Sequence, residues 1–124
     1  MPTADRPTTP GETRFWELAE PFLTRSEVTR STMMGYPCLR VRGQYFASTH
    51  RSTGDLIVKL PEHRVEELVD AGRAEPFAPN GRRFREWALV PHRRVRSWKG
   101  LLGEAYDFVS ALPAPAPKRR RTTR

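Results

Sequence analysis

YPCLRVRGQYFASTHRSTGDLIVKL, running from Tyr36 to Leu60, holds three successive strand signals separated by two turn signals. CLRV and QYFAS are rich in β-branched and aromatic residues and meet at Arg42-Gly43, where glycine supplies the positive φ that a two-residue hairpin loop requires. Pairing Val41 with Gln44 places Arg40 opposite Tyr45 and Leu39 opposite Phe46, because directly facing residues of an antiparallel pair project to the same side. The longer loop from His50 to Gly54 leads into LIVKL. If Thr49 pairs with Asp55, Val58 lies beside Phe46 and Lys59 beside Tyr45. One face then collects Leu39, Val41, Phe46, Leu56, Val58 and Leu60. The other collects Arg40, Tyr45, Ile57 and Lys59, a basic and aromatic surface too polar for a core. A slip of one residue would exchange the two faces, so register carries the assignment.

A chain of 124 residues with 37% hydrophobic content suits one modest core. No apolar run approaches the roughly 20 residues of a membrane helix, and the polar segment Met1 to Thr13 lacks the apolar centre of a secretory signal. Those features predict a cytoplasmic protein without a membrane partner. The single Cys38 agrees, since one cysteine forms no internal disulfide. The formal charge of +8 is unevenly placed: Lys118, Arg119, Arg120, Arg121 and Arg124 all fall in the last seven residues. Without them the body carries 17 cations against 14 anions. The excess belongs largely to an appendage, and it predicts attraction to polyanions.

Residues 1–12 contain Pro2, Pro7 and Pro10 among polar residues and read as a disordered arm. A helix is expected from Thr13, with Phe15, Leu18, Ala19 and Phe22 on one side and Pro21 perturbing or ending it. Thr24 to Met34 reads equally as a connecting loop or an edge strand. After the hairpins, Pro61 starts a second helix with Val65, Leu68 and Val69 inward and Gly72 as its stop. Pro76, Pro79 and Asn80-Gly81 signal turns, and FREWALV from Phe84 reads as a further strand whose Trp87 is expected to fill the core. The closing helix repeats apolar residues from Val95 through Trp98, Leu101, Leu102, Ala105, Phe108 and Val109 to Leu112. Gly100 and Gly103 inside it suggest close packing. Residues 113–124 form a Pro/Ala spacer and a polybasic tail.

Signals of catalysis are few. His50, His63 and His92 are widely spaced and form neither HExxH nor a Cys/His cluster, so no metal is expected. GxSxG, Walker and GxGxxG motifs are lacking, which predicts a non-enzymatic protein without a cofactor. Two basic features stand out. Arg40 and Lys59 on the open sheet face, joined by Arg85, offer phosphate contacts beside Tyr45, a ring on which a base can stack. Lys118, Arg119, Arg120 and Arg121 add a polycation that binds nucleic acid through counterion release. The leading expectation is a DNA-binding or regulatory protein of low sequence specificity. The alternative is a protein-interaction module, monomeric or homodimeric, with an exposed apolar patch at Ile57.

The segments GYPCLRVRGQYFAS (35–48), DLIVKLPEHRVEELVDAG (55–72), EPFAPNGRRFREWALV (75–90) and WKGLLGEAYDFV (98–109) together resemble the MmcQ/YjbR family of small bacterial proteins. The TfoX amino-terminal domain is more distantly similar. The resemblance extends from Phe15 to Leu112, so residues 13–112 form the matching domain. It implies an α+β, two-layer fold in which an antiparallel sheet carries helices on one face, like CyaY-like proteins and secretion chaperones, and it implies DNA binding. This chain departs from the family in opening its closing segment with Arg93, Arg94, Arg96 and Lys99, where family members are more acidic, and in its basic tail. Both departures favour a polyanion partner.

Overall fold

Thr9 caps the first helix: its side chain accepts the Glu12 amide at 3.0 Å, and Pro10 occupies a position whose amide would be unpaired in any case. The computed structural model describes residues 9–33, 36–50 and 52–113. Helix α1 therefore runs Pro10–Leu23. It begins ahead of the expected Thr13, and residues 10–12, assigned to the arm, are helical. Pro21 does not end it. Within the last turn it removes a single backbone bond, and the Thr24 hydroxyl donates to the Pro21 carbonyl at 2.8 Å.

The remaining elements in order are β1 (Val28–Met33), β2 (Tyr36–Val41), β3 (Gln44–Thr49), β4 (Leu56–Lys59), α2 (Glu62–Asp70), β5 (Glu75–Pro76), a 3-10 turn (Pro79–Gly81), β6 (Trp87–Val90), a 3-10 segment (His92–Ser97) and α3 (Trp98–Ser110). The strands form one antiparallel sheet in the order β1-β2-β3-β4-β6-β5. β1 settles the ambiguous stretch before the hairpins as an edge strand. β6 starts at Trp87 rather than Phe84, because residues 84–86 turn back, with the Trp87 amide donating to the Phe84 carbonyl at 3.1 Å.

The β2–β3 hairpin closes as expected, Val41 opposite Gln44 and Arg40 opposite Tyr45. Arg42 and Gly43 both take positive φ, 53° and 84°, the turn whose twist matches the flanking strands. Beyond it the register departs from expectation. Leu39 pairs with Ala47, so Phe46 is one extra residue on β3, a β-bulge. The bulge turns both Phe46 and Ala47 into the core, where strict alternation would admit only one, and Phe46 meets the rings of Phe22 and Tyr106 there. Thr49 pairs with Leu56, not Asp55, and Val58 accordingly sits opposite Ala47.

Leu39, Val41, Phe46, Leu56, Val58 and Leu60 are all fully buried in one cluster with Phe15 and Ala19 of α1, Val65 and Leu68 of α2, and the inner side of α3. The fold is α+β, with the helices on one sheet face. Trp98 is the largest wholly enclosed side chain, placed by the short 3-10 segment that precedes α3 where one continuous helix was expected. The Tyr106 hydroxyl donates to Glu27 Oε2 at 2.7 Å and ties α3 to the start of β1. That bond holds the Glu27 carboxyl below its ordinary range and the Tyr106 phenol above its own.

Gly100 and Gly103 do not serve close packing, since a methyl group at either would meet open space. Gly100→Ala is therefore expected to raise stability by up to about 1 kcal/mol through helix propensity and a less disordered unfolded chain. Thermal unfolding checks this, and an unchanged or lower melting temperature would count against it.

Candidate nucleic-acid interface

The face of the sheet opposite the helices carries the side chains that alternate with the core. Along β4 these are Ile57 and Lys59; on β6 they are Trp87 and Leu89, because Ala88 and Val90 point into the core. Trp87 is thus an outer-face ring, half-buried and directly opposite Lys59, and not the core filler its bulk suggested. In WALV every residue is apolar, so alternation could not separate the faces. Only the β4 partner does.

Two cation–ring pairs result. Arg40 stacks on Tyr45 at 4.9 Å from the ring centroid, and its Nε and Nη2 donate to the Gly43 carbonyl at 3.3 and 3.2 Å, fixing the guanidinium over the turn. Lys59 lies 5.9 Å from the Trp87 ring centroid and 3.8 Å from Glu86, its side chain 27% exposed. Tyr45 does not adjoin Lys59: the β3–β4 ladder reaches only Ala47–Val58, so the expected continuous row becomes two separate pairs. Arg85 stands off the sheet in the loop before β6, 74% exposed and paired with Glu62 of α2 at 3.2 Å. Lys118, Arg119, Arg120 and Arg121, with the spacer, lie outside the described residues.

Between the pairs the face is closed. Cys38, Ser48 and Ile57 are adjacent across the sheet and at most 2% exposed. Cys38 Sγ donates to Ser48 Oγ at 3.5 Å, and Ser48 Oγ donates to the Pro37 carbonyl at 2.8 Å, so these small polar groups are internally satisfied. The apolar patch expected at Ile57 is not exposed, Ile57 itself being 2% accessible. At the far end Tyr36 meets the His50 ring edge-on at 5.7 Å, while His50 Nδ1 accepts the Ser52 and Thr53 amides. Among the described residues no cluster of His, Cys, Asp or Glu is suited to a metal ion, and no helix is long and apolar enough to cross a membrane. Chemically, the face offers two rings and two cations to a ligand with planar and anionic parts.

Comparison with family models, curated proteins and solved structures found no match.

Proposed function

We propose that this chain is a non-enzymatic, cytoplasmic nucleic-acid-binding protein of MmcQ/YjbR type with a CyaY-like arrangement of its α+β fold, binding DNA with little sequence preference. The observation that carries this is the pair of cation–aromatic contacts, Arg40 on Tyr45 and Lys59 near Trp87, on the face the helices leave uncovered. A ring presents a π-face to any base, while a neighbouring cation meets the adjoining phosphate, so such a surface favours single strands and reads little sequence. The polybasic tail adds a sequence-independent electrostatic contribution. An interaction module is the weaker reading, because the apolar residue it would use, Ile57, is enclosed.

The test is a titration of labelled single-stranded and duplex DNA at several salt concentrations, using the full chain and a chain cut after Leu112. The single strand is expected to bind more tightly, and binding by the cut chain to weaken but persist. Undetectable affinity at low salt, or complete loss on cutting, would show that the folded body does not bind DNA.

A further inference from the structure

The described cations differ in what each one touches. Arg14, Arg64, Arg85 and Lys59 face carboxylates. Arg25, Arg30, Arg40 and Arg82 lie over aromatic rings. Arg42 and Arg94 donate to the backbone carbonyls of Ser110 and Gly72. Arg73, Arg93, Arg96 and Lys99, all exposed, have none of these partners, and neither has Arg83 in the loop before β6.

Four of those five cations lie on two segments that are tied together, the 92–99 stretch and the residue after Gly72. Arg93 and Arg96 belong to the 3-10 segment and Lys99 to the first turn of α3. The Arg94 bond to the Gly72 carbonyl, 3.3 Å, brings the end of α2 and the adjacent Arg73 to the same edge. Arg73 and Ser97 line one shallow groove there, in which Glu104, the acidic group, is already held by both the Nε and Nη2 of Arg64 at 2.9 and 3.1 Å. Beneath it Trp98 is wholly enclosed in the core.

We infer that this edge, formed by Arg73, Arg93, Arg96 and Lys99, is a second contact surface that takes the phosphodiester backbone of a nucleic acid. It rests on the nucleic-acid proposal above but on none of the sheet-face residues. Three of its four cations are arginines, whose planar fork matches phosphate oxygens. A membrane surface fits less well. Lasting membrane binding gains from apolar side chains inserted beside the charge, whereas α3 turns its apolar side into the core and the exposed large hydrophobic residue, Phe84, lies in another loop.

Duplex DNA removes the stacking contribution of the sheet face, because paired bases cannot stack on Tyr45 or Trp87, and leaves the phosphate contacts to be compared between variants. With the full chain and a labelled mixed-sequence duplex, the triple variant Arg93→Gln/Arg96→Gln/Lys99→Gln is expected to bind about tenfold more weakly at roughly 0.1 M salt. Its plot of log affinity against log salt should be shallower by about 2 to 3, since each phosphate contact contributes about 0.9 to the slope. Arg73→Gln alone should shift the slope the same way by about 1. All four side chains are exposed, so the melting temperature should not move. Unchanged affinity and slope in the triple variant would overturn the inference. So would equal sensitivity of binding to phosphatidylserine vesicles when those vesicles bind more tightly than the duplex. Loss of the sheet-face effect on single strands, with the duplex result intact, would sink the sheet-face proposal and leave this surface standing.

Discussion

Gly11→Ala is expected to destabilise the protein by about 3 kcal/mol and lower its melting temperature by more than about 10 °C, a large effect for one methyl group. Gly11 lies in the first turn of α1, where the helix backbone passes directly over the carbonyl of Gly54. A Cβ at that position would overlap the Gly54 carbonyl group, and backbone on both sides leaves no flexible side chain to move aside. Neither partner can retreat cheaply. The helix start is held by the Thr9 cap and by the Thr13 amide on the Thr9 carbonyl at 3.1 Å. The turn is closed by two bonds of 2.8 Å, from the His50 amide to the Asp55 carbonyl and from the Gly54 amide to the His50 carbonyl. Its Asp55 side chain also accepts the His92 amide at 2.8 Å, so displacing the turn would disturb the approach to α3. Gly54→Ala should be no better tolerated, because Gly54 adopts φ +77° and its own Cβ would meet the Thr9 side chain. Denaturant and thermal unfolding measure the cost. A Gly11→Ala protein with unchanged stability would show that α1 does not sit on the 50–55 turn.

Removing both outer-face rings, Tyr45→Ala with Trp87→Ala, is expected to weaken single-stranded DNA binding by about 100-fold at low salt. Stacking of one base on one ring contributes on the order of 1–3 kcal/mol, and two independent rings multiply their effects. Tyr45 and Trp87 lie on different strands, with β4 between them, so they do not share a partner. Both are half-buried and stand outside the core cluster, so the double variant should remain folded, which its melting curve verifies. Duplex binding should change little. The single variants should each lose about tenfold, and the more informative of them is Trp87→Ala, since it removes a residue that bulk alone assigned to the interior. Single-strand affinity equal to that of the unaltered chain would end the stacking proposal.

Much of this architecture was legible before any coordinates. Arg42-Gly43 announced the hairpin, and the six residues assigned to the buried side of the sheet are all enclosed, because apolar alternation and turn chemistry act over a few neighbouring residues. The same local logic found the start of α2, its Gly72 stop at φ +73°, and the apolar stripe of α3. It failed where the outcome depends on a distant partner. The β-bulge at Phe46 leaves no trace in QYFAS, since room for both Phe46 and Ala47 inside depends on what α1 and α3 place above them. Likewise α1 starts at Pro10 because Thr9 can cap it and because the Gly11 surface rests on Gly54, a contact across more than forty residues of chain. The candidate site divides in the same way. Arg40 opposite Tyr45 was readable from a two-residue loop, but Trp87 beside Lys59 required the β4–β6 pairing.

By itself, then, the sequence determined the types of the central strands and of the three main helices, the buried side of the central strands and the uneven distribution of charge, all consequences of side-chain period and local backbone preference. The tertiary structure alone decided which cations remain without a partner, which ring faces outward, and how the strands align beyond the first turn. Those properties arise from pairings between segments far apart in the chain, and a pairing is chosen by the shape and satisfaction of both partners together, not by either one alone.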